Sequence, residues 1–279
     1  MSIIENMPMA DYQARPEVSK HDLDDFEKAP SVYRYFKDNP KAEREEMGIG
    51  SLTHLILLEP EKLDELCIVL PADPPRRPTA KQLAMEVDKR TDAAKKSIEF
   101  WEEWNAKANG KTIVKAESLA MVRAMHAAVM GNSSTRRLME LPGVREASIF
   151  WNMGGVDCRA RPDIMAEEGI IIDPKTTGDA RRNQFMAEIY RMRYHNQSSF
   201  YKEGSIANGF PFKAFIFLPI ETKPPYLCTY YKASDVMLDW GKIENDRSLS
   251  QLKKCQETGE WPGLIGDLNN PIELPAWAA

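Results

Sequence analysis

The stretch Cys158-Arg159-Ala160-Arg161-Pro162-Asp163-Ile164-Met165, followed by Gly169-Ile170-Ile171-Ile172-Asp173-Pro174-Lys175-Thr176-Thr177, decides how the rest of the chain is read. Residues 156–165 and 169–173 read as two strands, the second a continuous apolar run of the kind buried inside a sheet. Asp163 falls at the end of the first and Asp173, ten residues later, at the end of the second. Paired as a hairpin, these strands would bring both carboxylates out at one edge, where they can share a divalent cation. Hard oxygen ligands, with water and a substrate phosphate completing the shell, suit Mg2+, with Mn2+ as a substitute. Lys175 is two residues beyond Asp173 on an extended strand and so points to the same face. An ammonium there can orient an attacking water or neutralise charge developing on a phosphate. An Asp-x-Lys tripeptide arises often by chance, so the weight rests on what accompanies it.

Downstream, residues 181–202 read as a helix on which Gln197 and Tyr201, spaced i, i+4, share a face. Both can hydrogen-bond phosphate or base edges. The same segment carries Arg181, Arg182, Arg191, Arg193 and Lys202 against one acid, Glu188. That local basic stripe can hold phosphates even in a chain of net charge −5,. Upstream, Glu146 precedes a strand at residues 147–152 and can add a carboxylate. His54 sits inside the otherwise apolar run Gly48-Ile49-Gly50-Ser51-Leu52-Thr53-His54-Leu55-Ile56-Leu57-Leu58; such a histidine is a core residue or a further metal ligand. His21, His126 and His195 have no evident partner. His195 is i, i+2 from Gln197 and so faces elsewhere.

Around this centre the organisation is that of one α/β domain. Residues 1–18 are polar and irregular, a disordered lead-in. Ser19 caps a helix broken before Pro30, and Ser31 begins another. The apolar run at 48–58 is a buried helix ended by Glu59-Pro60. A proline-rich connection at 71–78 leads to helices at 80–107 and 116–130, a helical insertion over about 79–131. Strands at 212–219 and 226–232 complete a core of residues 145–232. A helix at 235–258 stops before Gly259 and opens the tail, 233–279. Residues 19–279 are thus expected to form a single domain, a mixed central sheet flanked by helices with helical elaboration on its N-terminal side.

The bulk numbers narrow the classes. The 279 residues are 43% hydrophobic and 28% charged, ordinary for a globular chain,. No apolar run approaches the roughly 18 residues of a membrane span, and no basic-then-apolar leader opens the chain, so a cytoplasmic protein without membrane partners is expected. Cys67, Cys158, Cys228 and Cys255 are scattered without a CxxC pair, which argues against zinc, iron–sulfur or disulfide roles. Asn109-Gly110-Lys111-Thr112 ends like a phosphate-binding loop, but Asn105 stands where its first glycine should be,, so no ATP is expected. Neither HExxH nor GxSxG occurs.

The order His54, Glu146, Asp163, Asp173-x-Lys175, Gln197-x-x-x-Tyr201 resembles the RecB-like branch of the PD-(D/E)xK nucleases, and within it the RecE (exodeoxyribonuclease VIII) type of phage and prophage recombination systems. The strings GSLTHLILLEP, CRARPDIM, IIIDPKTTGDA and YHNQSSFY carry the likeness, with SKHDLDDFEKAPSVYRYF at the N-terminal side and GEWPGL and ELPAW at the other, over about residues 19–277. The resemblance implies a restriction-endonuclease-like core with a magnesium site. His54, Asp163 and Asp173 would be metal ligands, with the Pro174 carbonyl a fourth. Lys175 would position the nucleophilic water, Gln197 and Tyr201 would lie beside the scissile strand, and Glu146 is a weaker carry-over to the catalytic set. It further implies 5′-to-3′ degradation of linear double-stranded DNA in a bacterial host's cytoplasm, leaving 3′ single-stranded tails for an annealing protein of the RecT type, by a homo-oligomeric ring. Arg34, Arg181 and Arg182 are candidates for phosphate binding, since a guanidinium fork matches phosphate oxygens. Some relatives hold an iron–sulfur cluster through a cysteine just before the N-terminal proline; Ala29 stands there in this chain, and no cluster is expected. The residues leave open an endonuclease, a single-strand-directed nuclease and a catalytically silent DNA-binding protein of the same fold.

Overall fold

The computed structural model describes residues 2–40, 46–71, 73–264, 266 and 272–273. Most of the ELPAW string lies outside them. The lead-in expected to be disordered instead forms strand β1 (Ser2–Ile4) and helix α1 (Met9–Ala14). Its order is tertiary in origin: β1 pairs antiparallel far along the chain, Ser2 opposite Phe150 and Ile4 opposite Ser148, which no local pattern announces. Ser19 and Asp22 form a reciprocal capping box at the start of α2 (Lys20–Lys28),. Pro30, whose missing N–H is harmless at a first helical position, opens α3 (Pro30–Asp38),. The apolar run becomes α4 (Ile49–Leu58), burying Leu52, Thr53 and Leu55 through Leu58.

The helical elaboration comprises α5 (Leu63–Leu66), β2 (Cys67–Leu70), α6 (Ala80–Ala84), α7 (Asp92–Ala108), β3 (Thr112–Lys115), α8 (Ala116–Gly131) and α9 (Ser133–Met139). The long helix expected from residue 80 is two helices, because Thr79 and Thr91 each cap a separate start. Between them Arg90 ties down the carbonyls of Leu83 and Met85. Strands β2 and β3 pair in parallel as a small separate sheet.

The remaining elements are β4 (Gly143–Arg145), β5 (Ser148–Met153), β6 (Val156–Ala160), β7 (Ile164–Ala166), β8 (Ile170–Thr177), α10 (Arg182–Arg191), α11 (Tyr194–Ala207), β9 (Ala214–Glu221), β10 (Tyr231–Lys232) and α12 (Asp235–Thr258). The central sheet runs β10-β9-β8-β7-β4, with β8 parallel to β9 and the other neighbours antiparallel. A three-stranded sheet runs β1-β5-β6. The strand expected at 226–232 shortens to Tyr231–Lys232 and that at 169–173 runs on to Thr177, and two further expectations change. Residues 156–165 are not one strand: the chain leaves the small sheet after Ala160 and enters the central sheet at Ile164, and Pro162, lacking an N–H, sits where no ladder has to continue. Residues 181–202 are not one helix: Arg193, at φ +54°, turns the chain between α10 and α11.

Apolar contacts explain the layering. Ile164, Ile172, Ile216 and Leu218 on one face of the central sheet meet Leu52 of α4 and Val122, Met125 and Val129 of α8. Ile171, Phe215 and Phe217 on the other meet Phe185 of α10 and Leu238 of α12. Burying each such side chain is worth roughly 1.5–3 kcal/mol. The small sheet packs Ile149, Trp151 and Cys158 against Phe200 of α11 and Leu249 and Leu252 of α12. Helices α11 and α12 approach so closely that a Cβ on Gly241 would lie 2.2 Å from the His195 carbonyl oxygen. Among the described residues, no helix is long and apolar enough to cross a membrane.

Candidate active site

Strand register sets the site. The β7–β8 ladder pairs Ile164 with Ile172, so one step further Asp163 comes level with Asp173. The β4–β7 ladder pairs Arg145 with Ile164, and the next N–H, that of Glu146, bonds the Asp163 carbonyl at 2.9 Å. Three carboxylates thus line up across three neighbouring strands. Glu146 reaches this place with φ +51°, a left-handed conformation that a glutamate keeps only where its surroundings hold it. Helix α4 brings the His54 Nδ1 to 3.3 Å from Asp163 Oδ1. Helix α11 lays Gln197 over the row, its Nε2 donating to Asp173 Oδ1 at 3.1 Å. From β8 itself, Lys175 Nζ lies 2.6 Å from Asp173 Oδ2.

The residues are sequestered: Asp173 is wholly buried, and Asp163, Gln197 and Glu146 nearly so. Burial raises the Asp173 carboxyl to about 7; the neighbouring Asp163 adds to the shift and Lys175 opposes it,. Burial and then Asp163 raise Glu146 to about 7 against the pull of Arg161, whose Nε donates to Glu146 Oε2 at 2.8 Å. Burial would push Asp163 up too, but His54 beside it outweighs that and holds it below the ordinary carboxylate range. In return, burial would lower His54, and Asp163 overrides it to lift the imidazole to about 9. Burial lowers Lys175 as well, and the charges of Asp173 and Asp163 more than compensate.

Asp173 Oδ2 is met by the Lys175 ammonium, whereas Asp163 Oδ2 is buried with no hydrogen-bond partner. A buried carboxylate oxygen left this way is costly unless a charge completes it. Ligand atoms of His54, Glu146 and Asp163 lie within 4.8 Å of one another. An oxygen-rich set with one imidazole and an unpartnered buried carboxylate oxygen fits a divalent cation. The resemblance implies His54, Asp163, Asp173 and the Pro174 carbonyl as the metal set. The group whose ligand atoms converge is His54, Glu146 and Asp163, with Asp173 beside it engaged by Lys175 and Gln197 and Pro174 between Asp173 and Lys175 on β8.

The other candidates are placed differently. Tyr201 lies one turn from Gln197 and packs with Phe200 and Phe215 between the apolar regions; burial and then Asp163 raise its hydroxyl well above its usual value. Arg34 is paired with Asp38 on its own helix, 5.8 Å over Trp261. Arg181 is bound by Asp179 and Arg182 lies 5.9 Å over the Tyr231 ring. The basic stripe loses Arg193, which turns inward to Asp24, Glu27 and Glu244. His195 does have a partner, Glu244 Oε2 at 3.2 Å. Sequence reading missed Tyr194, whose ring lies 5.0 Å from Lys175 Nζ. The signal was present, since 194, 197 and 201 follow the i, i+3, i+7 face of a helix. Arg161 was inside the deciding stretch but received no role.

A family profile described as a PDDEXK-like domain of unknown function (DUF3799) matches residues 27–270. No curated protein matches the chain in sequence. A solved structure described as that of a candidate exonuclease from Eubacterium rectale is similar with a TM-score of 0.58 at 12% identity, covering 98% of this chain and 96% of that one. That likeness is one of fold. An alkaline exonuclease from Laribacter hongkongensis shares 16% identity over 51% of this chain and 84% of its own, at a TM-score of 0.29, too low to carry an argument.

Proposed function

The chain belongs to the PDDEXK-like domain family, and from that premise we propose that its buried cluster hydrolyses phosphodiester bonds in DNA, as a divalent-metal-dependent exonuclease. The observation that carries this reading is the pair of side-by-side carboxylates, Asp163 with an unpartnered buried oxygen and Asp173 paired with the largely buried Lys175. His54, Asp163 and Asp173, with Glu146 and the Pro174 carbonyl, would hold Mg2+, for which Mn2+ can substitute. Such an ion supplies Lewis acidity toward the phosphodiester and acidifies nearby water. The chain's own groups do the rest. Lys175, kept charged between Asp173 and Asp163, presents Nζ to an attacking water or to the phosphate. Gln197, anchored on Asp173, and Tyr201 one turn later would lie along the scissile strand. Arg181 and Arg182, at the exposed start of α10, and Arg34 on α3 are candidates for backbone phosphates, each by exchanging its present partner.

The finer reading is 5′-to-3′ resection of linear duplexes to leave 3′ tails, by a homo-oligomeric ring working with a RecT-type annealing protein in a bacterial cytoplasm. Its support is the resemblance of the motif set spanning His54 to Tyr201. The test is digestion of linear duplex DNA carrying 5′-phosphates, with Mg2+ or EDTA, beside a covalently closed circle. Loss of the linear duplex alone, abolished in Asp173→Ala while DNA binding persists, is the expected result. Cleavage of the circle would make the protein an endonuclease, and no cleavage at all would make it a DNA-binding module.

A further inference from the structure

Residues 2–15 lie outside the family match, which begins at residue 27, yet they reach the cluster. Strand β1 adds to the outer side of β5. On the far side of the same hairpin, Val18 bridges to Cys158; its N–H bonds the Asp157 carbonyl at 2.9 Å and its carbonyl accepts the Arg159 N–H at 2.9 Å. The chain between those two anchors therefore crosses the β5–β6 hairpin. Helix α1 in that crossing has no fully buried side chain, and Tyr12 is its half-buried one. It is held by two guanidiniums instead. Arg159 Nη1 donates to the carbonyls of Tyr12 and Gln13, and Arg161 Nη1 donates to the Met7 carbonyl at 2.8 Å. Both guanidiniums lie against the Tyr12 ring, at 4.9 and 5.8 Å.

Arg161 then points its other side at the site, donating Nε to Glu146 Oε2 at 2.8 Å with a side chain only 7% exposed. A guanidinium is a rigid planar fork. Fixed at Met7 and at the Tyr12 ring, it leaves Glu146 one bonded position, and Glu146 already sits on a left-handed backbone that needs holding. Groups of this kind, one step behind a metal ligand, orient it and commonly change metal affinity 10–100-fold when removed. We propose that residues 2–15 are a strap belonging to the active site: Met7 and Tyr12 fix Arg161, and Arg161 is a positioning residue that holds Glu146 against His54 and Asp163. The proposal rests on the reading of that cluster as a divalent-metal site.

The test uses the full chain and Mn2+ alone, without DNA. Titration calorimetry measures Mn2+ affinity for Arg161→Gln and Tyr12→Ala, each by itself and combined with Glu146→Gln. Each single change is expected to weaken binding, by about tenfold for Arg161→Gln and less for Tyr12→Ala. Neither should weaken it further once Glu146 is glutamine. Arg161→Lys should recover part of the loss. Melting temperatures follow every variant; Tyr12→Ala, at a half-buried position on a peripheral helix without a fully buried side chain, keeps the question answerable should Arg161→Gln not fold. Unchanged Mn2+ affinity in Tyr12→Ala, or equal losses with and without Glu146, would overturn the strap's role while leaving DNA cleavage by the wild type intact. A coupled cycle in a wild type that cleaves no DNA would support the strap and sink the nuclease reading. A wild type that binds no Mn2+ overturns both.

Discussion

Three groups in the cluster hold protons near neutrality that they would not hold in an unfolded chain: Asp173 and Glu146 to about 7 and His54 to about 9. The sign of the consequence follows from linkage. A folded chain that binds more protons than the unfolded one loses stability as pH rises through the interval between the two values. For the two carboxyls that interval lies between their ordinary range and about 7, and for His54 between its ordinary value and about 9. Asp163, shifted downward, acts in the opposite sense and only in acid. The metal-free protein should therefore melt at progressively lower temperature from about pH 5 to about pH 9. Mg2+, which binds the deprotonated ligands, should flatten the slope and release protons on binding. A melting temperature that rises over that range without metal would contradict the arrangement. That Asp163 and Asp173 come level and Lys175 shares a face with Asp173 was legible from hairpin register and strand alternation, although Asp163 stands just before β7 and Asp173 within β8, not at the ends of the two strands read from sequence. Glu146 was only half legible, since its place depends on a left-handed backbone and on pairing between β4 and β7, neither of which a local pattern encodes.

The elements that present those residues are held by polar seams as much as by apolar ones. Helix α11 reaches Asp173 through Gln197, and its first turn is gathered by Glu244 of α12, which accepts from Asn196 at 3.0 Å and meets both His195 and Arg193. The seam closes only because position 241 is glycine. Gly241→Ala would press a Cβ into the His195 carbonyl. Backbone cannot yield as a flexible side chain does, so a loss of about 1–3 kcal/mol is expected, read as a lower denaturant midpoint. Nuclease activity should fall with it as Gln197 shifts. Wild-type stability in this variant would mean that the two helices slide freely. Helix boundaries set by caps were readable at Ser19 and at the end of α12, where Gly259 takes φ +73°. The break between α10 and α11 was not, because arginine at φ +54° is stabilised by Asp24, Glu27 and Glu244 from helices distant in sequence.

At the scale of the molecule, the mixed sheet with helices on both faces was legible from the alternation of strand and helix patterns, and the family match over residues 27–270 accords with it. What sequence could not give was the division into sheets. The bend at Arg161-Pro162-Asp163 sends one apparent strand into two sheets, and so places the site where the small sheet meets the central one. The three residues of β1 then have a consequence for solubility. They occupy the hydrogen-bonding rim of β5, and an unoccupied strand rim is a template for another chain. Removing Ser2–Ile4 should yield a protein that self-associates in a concentration-dependent way, detectable by light scattering. A deletion variant that stays as monodisperse as its parent would show that the rim of β5 is guarded by other means.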